Sequence, residues 1–161
     1  MRKVLIPGTF DPITCGHMEV IERSSRLFDQ VVVGVALSQG KNGGTLFTLD
    51  ERVDLARQAT AHLTNVEVVP FEGLLVDFAA QIGAAAVVKG LRATTDFEYE
   101  FQMAALNYKL APNLETLFVT ASPHFTYISS SVVKELASMG GSVEDMVPAC
   151  VSQALADKFG R

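Results

Sequence analysis

The chain has 161 residues, 48% of them hydrophobic, and a formal charge of −5 at pH 7. Its length is near the commonest domain size, so a single domain spanning 1–161 is expected. The acidic balance argues against nonspecific nucleic-acid binding, which depends on excess Lys and Arg, and no apolar run approaches the ~18 residues that a membrane span requires.

Strand-like and helix-like segments then alternate. A first strand over 4–6 begins directly after Met1-Arg2-Lys3, leaving no room for a signal peptide. With only Cys15 and Cys150, too few for a disulfide framework or a metal site, this points to a reducing cytoplasm. A glycine- and proline-marked turn leads to a helix over about 16–28. A second strand over 31–37 is followed by a polar, glycine-rich loop over 38–46. Thr48 with Glu51 makes a capping box for a helix whose apolar stripe is Leu49, Val53, Leu55, Ala56, Ala59 and Leu63.

The third strand is expected over 66–69, a helix over 74–82 ended by Gly83, and the fourth strand over 85–88. A helix over 97–110, a fifth strand over 116–119, a helix over 130–139 stopped by Gly140-Gly141, and a helical segment over 144–159 interrupted near Pro148 complete the chain. The alternation predicts a doubly wound, Rossmann-like α/β fold: a five-stranded parallel sheet with helices on both faces. In such sheets ligands bind beyond the carboxyl ends of the strands, where strand order reverses.

Chemistry-bearing residues gather after those strands. The first is followed by Thr9, Phe10 and, at the start of the next helix, Gly16-His17; backbone N–H groups there attract anions and the imidazole adds a donor. Lys41 follows the second strand, Lys89, Gly90 and Arg92 the fourth, and Phe125-Thr126-Tyr127-Ile128-Ser129-Ser130-Ser131 the fifth. One Lys or Arg is ordinarily a solvated surface charge, and one Ser at a helix start an ordinary cap. A hydroxyl, an imidazole, three cations and a serine-rich helix start, all placed after strands, instead suit a polyphosphate and a phosphoryl or nucleotidyl transfer. No Ser-His-Asp arrangement has a nucleophile-elbow context, and no cluster offers a transition-metal cage.

Thr14-Cys15-Gly16-His17, a T-x-G-H spacing, resembles the Gly-His signature of the nucleotidyltransferase superfamily. Pro7-Gly8-Thr9-Phe10-Asp11-Pro12-Ile13-Thr14, Val88-Lys89-Gly90-Leu91-Arg92, Asp96-Phe97-Glu98-Tyr99-Glu100, and Ile128-Ser129-Ser130-Ser131 with Val133-Lys134-Glu135 extend the likeness over essentially the whole chain. In that order they resemble the bacterial phosphopantetheine adenylyltransferases. The resemblance implies transfer of AMP from ATP to 4′-phosphopantetheine, giving dephospho-coenzyme A and pyrophosphate, the penultimate step of coenzyme A synthesis.

It makes His17, Lys41 and Arg92 the catalytic residues, with His17 on the α-phosphate. Around ATP it puts Thr9, Phe10, His17, Gly90, Leu91, Arg92, Glu100 and the run Phe125-Thr126-Tyr127-Ile128-Ser129-Ser130-Ser131. Thr9, Lys41, Leu75 through its backbone, and Lys89 would bind phosphopantetheine. Mg²⁺ bound mainly through the ATP phosphates, and a homohexamer built as a dimer of trimers, are further implications. Lys89 stands where many members have Arg, and the loop after Lys41 is longer than usual. A nicotinamide mononucleotide adenylyltransferase or a cytidylyltransferase would share the Gly-His turn and differ in acceptor; the Lys-Gly-Leu-Arg and Asp-Phe-Glu-Tyr-Glu blocks speak against these. A nucleotide-binding module without catalysis would not need His17, Lys41 and Arg92 intact.

Overall fold

The apolar runs form one parallel sheet in the order β3-β2-β1-β4-β5. The computed structural model describes residues 1–37 and 44–161. Among these the strands are β1 (Lys3–Gly8), β2 (Gln30–Ala36), β3 (Val66–Phe71), β4 (Ala86–Leu91) and β5 (Glu115–Thr120). The helices are α1 (Cys15–Leu27), α2 (Leu49–Thr60), α3 (Leu75–Ile82), α4 (Thr94–Leu110), α5 (Ser130–Ser138) and α6 (Ala149–Lys158). The expected doubly wound architecture is therefore present.

Strand side chains alternate between faces, and the chain exploits this by being apolar on both. Val4, Ile6, Val31, Val33, Val35, Val68 and Val88 join α1, α2, α5 and α6 in the larger core. Leu5, Val32 and Val87 point the other way, into a smaller core with Val76, Phe78 and Ala79 of α3. Strand order runs outward from β1 in both directions, so the reversal lies between β1 and β4.

Several boundaries differ from expectation for identifiable reasons. β4 continues to Leu91 because it pairs with β5 as far as Leu91↔Thr120; Lys89, Gly90 and Leu91 thus belong to the strand and do not follow it. β1 runs through Pro7 to Gly8, supported by β2 along its whole length. α2 ends at Thr60, so Leu63 packs on the core from the turn beyond it. The closing helix begins only after Pro148, since a proline lacks the N–H that a helix interior needs. The Thr48–Glu51 capping box forms as expected, and Gly83 caps α3 at φ 67°, a conformation that favours glycine.

Candidate active site

The sheet is split where strand order reverses. β1 pairs with β2 from Lys3 to Gly8 but with β4 only at Val4↔Ala86 and Leu5↔Val87. Beyond that point Ile6, Pro7 and Gly8 part from Val88, Lys89, Gly90 and Leu91, and a cavity of about 370 Å³ opens between them. Its size is that of an ordinary small-molecule site. The start of α1 (Thr14, Gly16, His17) and that of α5 (Ser129, Ser130, Ser131) complete the walls, so two helix N-termini flank the same space.

His17 is built into the α1 cap. The Thr14 N–H donates to His17 Nδ1 at 3.0 Å, and the His17 N–H donates to Thr14 Oγ1 at 3.3 Å. This is a capping box with an imidazole where Glu or Gln is usual. With Nδ1 accepting, the neutral ring carries its proton on Nε2. Burial, then the charges of Arg92 and Lys89, lower the His17 pKa from 6.5 to about 4. The ring is neutral at physiological pH, with Nε2–H as its donor group. Phe10 meets it edge-on at 5.0 Å between centroids, and lies so close over Gly8 that a Cβ there would be 3.0 Å from the Phe10 ring.

Two cations face His17 from the other lip, each partnered by α4. Lys89 Nζ is 3.4 Å from Glu100 Oε2. Arg92 grips Asp96 with Nε at 3.0 Å and Nη2 at 3.4 Å, and its Nη1 donates to the Ile128 carbonyl at 2.8 Å. Asp96 stood in the sequence only as part of the Asp96–Glu100 block, with no site role, although its spacing of four from both Arg92 and Glu100 is a readable signal. The cavity is thus a cationic site with its counter-charges in place, suited to exchanging carboxylates for phosphates.

The three serines divide their work. Ser129 Oγ accepts from the Val132 N–H at 3.1 Å and is the α5 N-cap; Ser130 Oγ donates to the Pro12 carbonyl at 2.8 Å. Those two hydroxyls are engaged within the protein, and Ser131 is exposed at the first turn. What α5 offers an anion is chiefly backbone N–H groups of its first turn. Gly90, Leu91 and Ile128 line the same cavity, whereas Phe125, Thr126 and Tyr127 form the turn leading to it. Thr9 is exposed just outside, and Leu75 starts α3, packing on the smaller core. Lys41 lies outside the described residues.

Behind the β1–α1 turn is a buried charged group that sequence reasoning missed. Asp11, 4% exposed, accepts from Leu46 N–H at 3.0 Å, Phe47 N–H at 2.9 Å and Lys134 Nζ at 2.8 Å. Burial raises its pKa, but Lys134 and the two N–H donors outweigh this and hold the carboxyl below its usual value. Arg52, 2% exposed, donates from Nη1 to the carbonyls of Thr9 at 2.7 Å and Ala36 at 2.9 Å. A guanidinium on the apolar stripe of α2 was the available signal. Cys15 and Cys150 are free, and burial raises both thiol pKa values, which keeps them protonated.

The cytidylyltransferase-like family matches residues 5–136. The chain is 53% identical over 159 residues to a phosphopantetheine adenylyltransferase from Hahella chejuensis, spanning 99% of this chain and 98% of that one. A crystal structure from Vibrio parahaemolyticus, provisionally assigned as a nicotinate-nucleotide adenylyltransferase, superposes with a TM-score of 0.71 over 100% of this chain and 98% of that one. At 19% identity that likeness establishes a shared fold. Full-length similarity, the split parallel sheet and the Gly-His helix start agree: the chain belongs to the phosphopantetheine adenylyltransferases, within the cytidylyltransferase-like nucleotidyltransferases.

Proposed function

We propose that this enzyme transfers AMP from ATP to 4′-phosphopantetheine, giving dephospho-coenzyme A and pyrophosphate. The observation that carries the reading is the split between β1 and β4, where neutral His17 faces Lys89 and Arg92 between two helix N-termini. The full-length likeness to the Hahella enzyme supports the choice of acceptor.

An oxygen of the pantetheine phosphate attacks the α-phosphorus of ATP in line; its P–O bond forms as the bond to the β-phosphate oxygen breaks and pyrophosphate leaves. No covalent enzyme intermediate is required, so the protein's work is positioning and charge stabilisation. His17 donates from Nε2 to an α-phosphate oxygen, with the greatest effect as charge builds there. Arg92 exchanges Asp96 for phosphate oxygens, while Gly90, Leu91, Glu100, Phe10 and the segment from Phe125 through Ser131 enclose the nucleotide. Thr9 serves both substrates; Lys41 and Lys89 bind the acceptor phosphate, and the Leu75 backbone meets the pantetheine arm.

Mg²⁺ fits as a cation carried by ATP. Among the described residues no three metal-ligating side chains converge, so ATP phosphate oxygens and water would supply most of its ligands. When bound it neutralises charge on the polyphosphate. The free thiols of Cys15 and Cys150 suit a cytoplasmic location, and the apolar surface of α4 suits a homohexamer.

The test is pyrophosphate release with Mg²⁺ and ATP, comparing 4′-phosphopantetheine, nicotinamide mononucleotide and glycerol 3-phosphate as acceptors. Release with phosphopantetheine alone is expected; release only with another acceptor would reject the substrate assignment.

A further inference from the structure

Phe10 is the one non-glycine residue with positive φ, at 49°, among the described residues, and it is 3% exposed. A bulky side chain there costs free energy and persists only when its surroundings over-determine it. Both of its chain neighbours are pinned by buried charge. The Thr9 carbonyl on one side is held by Arg52, and the Asp11 carboxylate on the other by Lys134 and the N–H groups of Leu46 and Phe47. From this backbone the Phe10 ring fills the space between Gly8 and His17.

We propose that Arg52, Asp11 and Lys134 are positioning residues of the transfer reaction, clamping Phe10 in its left-handed conformation so that its ring braces the His17 imidazole. None of the three lines the cavity. Arg52 reaches from α2 and Lys134 from α5, so the clamp ties helices on the larger-core face to the orientation of the catalytic ring. The clamp also fastens the end of β2, at Ala36, through Arg52, and the approach to α2, at Leu46 and Phe47, through Asp11. The link to catalysis rests on the assignment of His17 above; the bracing itself is independent of the substrate.

The experiment follows the His17 ring by ¹⁵N NMR titration and adenylyl transfer by steady-state kinetics, in the wild type, Lys134→Met, Lys134→Arg, Arg52→Lys and Phe10→Leu. The groups facing His17 from β4 and the turn after it, Lys89 and Arg92 with partners Glu100 and Asp96, stay unchanged throughout. In Lys134→Met and Arg52→Lys the loosened ring gains water and its pKa rises from about 4 toward 6.5. The Nδ1–H tautomer becomes detectable, kcat falls on the order of 10- to 100-fold with smaller change in KM for ATP, and Lys134→Arg restores most of both. Phe10→Leu, which leaves the clamp intact, reproduces the His17 shift, so the inference stays testable if a clamp variant fails to fold. An unchanged His17 titration in Phe10→Leu, or in folded Lys134→Met, overturns it even where activity is lost. Shifted His17 titrations in a protein that shows no transfer to phosphopantetheine would instead reject the function and keep the bracing.

Discussion

In the proposed reaction the imidazole of His17 has two jobs on two nitrogens. Nδ1 completes the α1 cap, which leaves Nε2–H as the group available to a phosphate. Replacement by Ala removes that donor; kcat is expected to fall about 10²- to 10³-fold with ATP affinity little altered, as checked by turnover and equilibrium ATP binding. Unchanged turnover would remove His17 from the chemistry. The sequence placed His17 at a helix start, but a capping box ordinarily closes with Glu or Gln, so its second job had no familiar pattern. The serines were legible as a helix start, whereas the engagement of Ser130 with Pro12, 118 residues away, depends on tertiary structure.

At the scale of elements, α4 is the outlier. Its cavity-facing carboxylates Asp96 and Glu100 are paired, yet Phe97, Tyr99, Phe101, Met103, Leu106, Tyr108 and Leu110 are all exposed, Tyr108 by 61%. An isolated surface helix would keep such residues inward. The proposed hexamer gives them partners: Phe101→Asp combined with Tyr108→Asp is expected to shift sedimentation from hexamer to smaller species. A monomer for the unsubstituted protein would remove the assembly. The sequence marked α4 as a helix but began it at 97; its true start, Thr94 after Ala93, has no side-chain cap to announce it. The C-terminal extension of β4 was likewise hidden, because it is set by pairing with β5, a neighbour that local periodicity does not identify.

Across the whole molecule, burial of His17 and Asp11 links folding to pH. The folded His17 pKa of about 4 lies below the ordinary 6.5, so between those values the unfolded chain binds more protons. That contribution is complete above pH 6.5 and is lost as pH falls toward 4, amounting to roughly 3 kcal/mol at most. Asp11, also shifted down, holds its contribution until pH falls below its ordinary value of 3.8. Urea unfolding should therefore show a level plateau from pH 8 to 6.5 and a decline toward pH 4, and His17→Gln should lack most of that decline. A wild-type profile flat to pH 4 would contradict the half-buried neutral ring. The global architecture was legible because strands apolar on both faces and the regular α/β alternation report it directly; the Asp11–Lys134 pair, separated by 123 residues, was not.

Pro7 sits where β1 and β4 part company, and a residue with no N–H to give a ladder is tolerable at such a seam. The seam divides labour along the gene. One jaw, with the imidazole, is written in the first third of the chain; the other, with Lys89 and Arg92, begins some eighty residues later. Substitutions in one jaw leave the chain around the other unchanged, a separation that a site made from one contiguous loop would lack.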